Sequence, residues 1–195
     1  MRVKICGITN LEDALTCVKY GADAIGFVFY EKSARYIEPE KVKKIILELP
    51  PFIQSVGLFV NHTSDEVNSI MKECNLDIAQ MHNTQDDEFY KKLECKYLKV
   101  ARIKDENSFL NTNEYYIIDA FVEQYGGEGK RIDTSLFKSL DTSKMILAGG
   151  INTSNVQEVL NLGFYALDVS SGVEHTKGKK DHQKIKEFLS LVKNK

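Results

Sequence analysis

The run Met145-Ile-Leu-Ala-Gly-Gly-Ile151 is answered about twenty residues later by Ala166-Leu-Asp-Val-Ser-Ser-Gly-Val-Glu174. Each is a short apolar strand that runs straight into glycine or serine and then into a helix-like segment. Two such turns side by side gather backbone N–H groups into one hollow, which is what holding a phosphate requires. Asn152 or Ser154, as a helix cap, would add the positive end of a helix dipole beside Gly149-Gly150. The pair therefore suggests a parallel α/β fold that grips a sugar phosphate at its strand ends.

The rest of the chain repeats the same unit. Val3–Cys6, Ala24–Phe29, Ser55–Val60, Leu76–Met81, Tyr97–Ile103 and Tyr115–Asp119 read as strands, ahead of Lys144–Ala148 and Leu167–Val169. Between them apolar residues recur at i, i+3, i+4 and i+7. Leu11, Ala14, Leu15 and Val18 form one such stripe, and Val42, Ile45, Ile46 and Leu49 another. Val67, Ile70, Met71 and Cys74 repeat it, and Ile185, Phe188, Leu189 and Val192 close the chain with it. Asn10 reads as an N-cap, Gly21 as a terminator and Pro39 as a first-turn residue, while Thr63 with Glu66 resembles a capping box. Asp86–Glu94 is a weaker helix.

Eight strands alternating with helices imply parallel strands and right-handed crossovers, hence a (β/α)8 TIM barrel spanning residues 1–195 as one domain. Such barrels typically need about 250 residues. The shortfall is expected between Ile103 and Tyr115, where the fifth helix region is reduced to a loop. A doubly wound open sheet would use the same alternation and is the rival architecture.

Composition narrows the function. With 26 Lys and Arg against 28 Asp and Glu, the net charge is −2 and the signs are interspersed, which argues against a nucleic-acid or membrane surface. The start has too short an apolar run for a signal peptide. Cys6, Cys17, Cys74 and Cys95 show neither CxxC nor Cys/His ligand spacing, so a reduced, cytoplasmic protein without a metal site is expected.

In a barrel the chemistry sits at the C-terminal strand ends, with phosphate commonly held after strands seven and eight. Cys6 and Asp119 end strands one and six; Gly149-Gly150 and Ser170-Ser171 follow strands seven and eight. Alone, Cys6 reads as a small buried hydrophobe. To act as a base it must be partly thiolate, which calls for a nearby positive charge such as Lys4 or a helix N-terminus. Asp119 closes the apolar strand Tyr-Tyr-Ile-Ile; a buried, uncompensated carboxylate there would have a raised pKa suited to a general acid, whereas outside a barrel it would read as a plain cap. Asp168 reads as a group that orients loop backbone. Arg35 can offer a planar fork to a carboxylate, although a lone loop arginine is more often solvated. His82, His175 and His182 read as surface or supporting groups rather than catalysts.

Taken in order, these segments resemble the phosphoribosylanthranilate isomerase family. The matching stretches are Lys4-Ile-Cys-Gly-Ile-Thr-Asn10, Gly21-Ala-Asp-Ala-Ile-Gly-Phe-Val-Phe29, Ser33-Ala-Arg-Tyr-Ile37 and Val56-Gly-Leu-Phe-Val-Asn61. They continue through Gln80-Met-His82, Tyr125-Gly-Gly-Glu-Gly-Lys130, Leu147-Ala-Gly-Gly-Ile151, Asp168-Val-Ser-Ser-Gly-Val-Glu174 and Lys177-Gly-Lys-Lys-Asp181. Two places depart from the family pattern. Asn83 stands where a glycine is usual, and an aromatic is missing from Arg131-Ile-Asp-Thr-Ser135.

The resemblance implies a cofactor-free Amadori rearrangement of a small phosphoribosyl substrate in tryptophan biosynthesis, by a monomer or homodimer. It makes Cys6 the general base and Asp119 the general acid, sets Arg35 at the anthranilate carboxylate, and puts Gly150, Ser170 and Ser171 in the phosphate loops. The stretch around Gly126 is expected to close as a lid. Two rivals stand beside it. One is the histidine-pathway aminoaldose isomerase, whose chemistry usually rests on paired aspartates and not on a cysteine. The other is a phosphosugar-binding barrel without catalysis, which would bind ligand without Cys6 or Asp119 and turn nothing over.

Overall fold

The computed structural model describes residues 1–83, 85–102, 113–119, 134–137 and 140–193. Its eight parallel strands are β1 Arg2–Cys6, β2 Ala24–Val28, β3 Gln54–Phe59, β4 Ile78–Met81, β5 Lys96–Arg102, β6 Tyr116–Asp119, β7 Met145–Ala148 and β8 Ala166–Val169. They close on themselves, because β1 pairs with β2 on one side and with β8 on the other, Lys4 lying opposite Ala24 and Asp168 respectively. An open doubly wound sheet would leave two free edges, so the closure excludes that rival.

The helices are α1 Leu11–Lys19, α2 Pro39–Leu47, α3 Ser64–Cys74, α4 Asp87–Lys91, α5 Val156–Val159 and α6 His182–Lys193. Local chemistry sets their starts. The Asn10 side chain accepts the Asp13 N–H at 2.8 Å, Pro39 opens α2, and Thr63 with Glu66 forms the reciprocal capping box. One expected cap is different. Helix α5 begins only at Val156 and has no side-chain cap. Asn152 instead accepts the Ser154 N–H at 2.8 Å, while Asn155 donates to the Gly150 carbonyl at 2.9 Å. Asparagine's short amide favours such a local turn over a longer helix. The expected loop after Ile103 and the stretch around Gly126 lie outside the described residues.

Strand parity sorts the core into two layers. Ile5, Phe27, Phe59, Met81, Ile118, Leu147 and Leu167 face outward and are sealed by helix residues such as Val42, Val67 and Phe188. Val100, Ile117, Ile146 and Ala166 face inward and fill the barrel. Both faces of the strands are buried, which is why they read as continuous apolar runs rather than alternating ones.

A short hairpin, β9 Glu174–Thr176 paired with β10 Lys179–Lys180, follows β8 and was not foreseen from sequence. Its turn needs Gly178, at φ +83°, because a Cβ there would lie 2.5 Å from the Ala34 carbonyl. The hairpin is thereby pressed against the loop that carries Arg35.

Candidate active site

Cys6 is the last residue of β1 and shares its inward parity with Lys4. A Cβ placed on Gly26, across the barrel wall on β2, would sit 2.9 Å from the Cys6 sulfur and 3.0 Å from the Lys4 nitrogen. The absent side chain at Gly26 is what lets thiol and ammonium share that space. Lys4 Nζ also donates to both carboxylate oxygens of Asp168, at 2.9 Å each. Burial pulls the Lys4 ammonium down, but Asp168 and Cys6 outweigh it and hold the group above its ordinary value. The positive charge that a reactive Cys6 calls for is therefore present, and Lys4 supplies it.

Asp168 is thus the counter-ion of Lys4, a role that its place beside Ser170 does not suggest. The reason is register: Asp168 lies directly opposite Lys4 on the neighbouring strand.

Asp119 ends β6 half-buried, with Arg102 of β5 and Ala148 of β7 as its register neighbours. A cation ends the strand beside it, so the expected uncompensated apolar setting is replaced by one with a charge next door. His82 also stands on this rim. Burial first, and then Arg102 and Lys4, push its imidazole below the ordinary 6.5, while Asp119 and Asp168 pull the other way. It belongs to the barrel mouth and not to the surface. His175 is exposed, and His182 pairs with Asp13 at 2.8 Å, tying α6 to α1.

The two turns expected to hold an anion lie side by side. A Cβ on Gly172 would collide with the Ile151 carbonyl, so the turns after β7 and β8 touch backbone to backbone. Gly149 and Gly150 both have positive φ, at 90° and 66°. Ser170 Oγ donates to the Cys6 carbonyl at 3.1 Å, tying the β8 turn to the end of β1. Ser171 is exposed at the start of a single 3-10 turn, Ser171–Val173.

Arg35 reaches the same rim, where its Cδ would lie 2.6 Å from a Cβ on Gly7. Its Nε and Nη2 both donate to Glu174, at 2.7 Å each, so two of its five donors are engaged. Glu174 also takes Lys180 Nζ at 3.1 Å, and Lys180 in turn donates to the Ser170 carbonyl at 3.1 Å. Glu174 and Lys180 were missed from sequence. Lys180 stands beside Lys179 in a lysine-rich stretch, yet its side chain is 0% exposed.

A thiol, an ammonium and carboxylates converge on the C-terminal rim, where the glycine- and serine-rich turns after β7 and β8 touch. This is the architecture of the phosphate-binding (β/α)8 enzymes. Within them the chain belongs to the N-(5′-phosphoribosyl)anthranilate isomerase family, whose family model matches residues 3–191. That makes it an isomerase of tryptophan biosynthesis. The isomerase of a Nitratiruptor species is 50% identical over 194 residues, 99% of each chain. The solved structure of the Thermotoga maritima enzyme superposes with a TM-score of 0.90 at 39% identity, covering 100% of both chains. A second Thermotoga maritima structure, of monomers generated from the dimeric enzyme, gives 0.86 at 35% identity over 100% of both chains. Among the described residues no helix is long and apolar enough to cross a membrane.

Proposed function

We propose that this chain converts N-(5′-phosphoribosyl)anthranilate to 1-(2-carboxyphenylamino)-1-deoxyribulose 5-phosphate, with Asp119 as general acid and Cys6 as general base. The observation that carries the assignment is the Lys4 ammonium against the Cys6 thiol on the inner barrel wall. A thiol must be partly ionised to take a proton from carbon, and an adjacent cation favours the thiolate.

Asp119 protonates the furanose ring oxygen, and the ring opens to a protonated Schiff base. Cys6 then removes the C2′ proton while the iminium takes up the electron pair. The resulting enolamine becomes the aminoketone. Strands β1 and β6 are three places apart around the barrel, so the two groups approach the substrate from different sides. The turns Gly149-Gly150 and Ser170-Ser171 hold the phosphate. Glu174 fixes the plane of Arg35, whose remaining donors take the anthranilate carboxylate. Fluorescence decay of freshly formed phosphoribosylanthranilate tests the reading directly: the folded protein accelerates it, and an unchanged decay overturns the proposal.

The reading extends to a cytoplasmic homodimer of single-domain chains, 1–195. Phe52 is fully exposed in left-handed backbone at φ 72°, on the turn entering β3. At that N-terminal end of the barrel lies a cavity of about 1080 Å³ lined by Tyr97, Tyr115, Ile146 and Tyr165. An exposed phenyl in left-handed backbone on the rim of a hollow walled partly by tyrosines suits reciprocal insertion between two copies related by a two-fold axis. That the similar Thermotoga maritima enzyme is dimeric supports a dimer here.

A further inference from the structure

An isomerisation neither gains nor loses a proton overall. Asp119 nevertheless gives one up at ring opening, and the enolamine must shed its C2′ hydroxyl proton to become the ketone. We propose that His82 closes this cycle: its imidazole accepts the C2′ hydroxyl proton and returns it to Asp119, directly or through one water. The inference rests on the assignment of Asp119 and Cys6 above.

His82 follows β4, and its N–H donates to the Phe59 carbonyl at 2.9 Å, carrying the β3–β4 ladder one residue past the strand. Its side chain therefore keeps the inward parity of Ile78 and Gln80. His82 Nδ1 is buried with no hydrogen-bond partner, and so is Gln80 Oε1 one layer deeper. Buried polar atoms are almost always paired, so two unpaired ones on the same inner wall mark a place for a polar ligand. A sugar hydroxyl is the ligand group that can both donate to Nδ1 and belong to this substrate.

The charged groups facing His82 are Lys4 from β1, Arg102 from β5, Asp119 from β6 and Asp168 from β8. Burial and Arg102 keep the imidazole neutral at working pH, with a lone pair to offer. Asp119 and Asp168 steady the imidazolium once it forms. Strand β5 alone separates β4 from β6, a backbone distance of about 10 Å that two inward side chains and a bridging hydroxyl or water can span.

The protons balance. Cys6 takes the C2′ hydrogen as the C1′–C2′ double bond forms and the iminium nitrogen becomes an amine. It returns that proton to C1′ as the hydroxyl oxygen becomes the carbonyl. The hydroxyl proton passes to His82 and on to Asp119, which enters the next turnover protonated.

The test compares kcat pH profiles of the wild type with those of His82→Asn and His82→Ala, using freshly formed phosphoribosylanthranilate. His82→Asn is expected to lower kcat by about 100- to 1000-fold with KM within threefold. It should also lose the acid-side fall in kcat that protonation of His82 produces. Added imidazole should restore part of the activity of His82→Ala, which a merely misfolded variant would not show. If His82→Asn keeps full kcat and its acid limb while Cys6→Ala and Asp119→Asn are inactive, the His82 role is overturned and the acid–base assignment survives. If the wild type shows no turnover, the assignment itself falls.

Discussion

The Lys4 ammonium lies 2.9 Å from both carboxylate oxygens of Asp168, with each side chain only 6% exposed. The same ammonium adjoins the Cys6 thiol, so one buried cation touches both a carboxylate and a thiol. Removing it should alter chemistry and stability together. Lys4→Met is expected to lower kcat by about 10- to 100-fold, because Cys6 loses the cation beside it, and to lower Tm, because Asp168 is left buried without its counter-ion. Lys4→Arg should recover part of both losses. Steady-state kinetics and thermal unfolding check this, and an unchanged kcat in Lys4→Met would refute it.

Cys6→Ala and Asp119→Asn should each lower kcat by about 100- to 10000-fold, as expected for loss of a positioned base or acid. Product affinity should stay within a few-fold, because neither group is the main anchor. Steady-state kinetics combined with calorimetric titration of the product separates the two effects. Normal turnover by either variant removes that residue's role.

Glu174 is squeezed between Arg35 and Lys180. Burial pushes its carboxyl up, but the two cations prevail and hold it below the ordinary 4.5. A depressed folded value means the stabilisation is present above the ordinary value and is lost as pH falls through the folded one. Glu174→Gln leaves the buried Lys180 ammonium without its counter-ion, at a cost on the order of 3 kcal/mol near neutral pH. Thermal unfolding should show Tm lower by roughly 6–12 °C at pH 7. The gap from the wild type should narrow as pH drops below 4.5, the ordinary carboxyl value. A pH-independent gap would contradict the linkage.

The same substitution also frees the Arg35 fork. With its plane no longer fixed, Arg35 should bind the anthranilate carboxylate less well, raising KM several-fold more than it lowers kcat. Arg35→Lys should raise KM in the same direction, because an ammonium cannot reproduce a planar fork. A fall confined to kcat would argue that Arg35 serves the chemistry and not the carboxylate.

Phe52→Asp replaces the exposed phenyl with a short charged group that cannot fill the tyrosine-walled part of the opposing cavity, and should convert a dimer to monomers in size-exclusion chromatography with light scattering. Because Phe52 is at the N-terminal end of the barrel, kcat should change less than twofold. A wild-type chain that is already monomeric would refute the homodimer.

Much of the barrel was legible residue by residue. The helix starts at Asn10, Pro39 and Thr63 depend on bonds spanning three residues or on a single ring-locked φ, so sequence alone determined them. The order of strands and helices followed from the 3.6-residue stripes, and the turns after β7 and β8 from their glycines and serines. The closed barrel was expected from the eightfold alternation, and the β1–β8 pairing decided it against an open sheet; the inward face of each strand was decided only by tertiary structure, since strands buried on both sides carry no alternation. The partners of the site were equally hidden. Lys4 meets Asp168 across 164 residues and Arg35 meets Glu174 across 139, contacts made by register and by the β9–β10 hairpin. Short-range bonding leaves a local pattern in the chain; an ion pair made by barrel closure leaves none until the strands are in place.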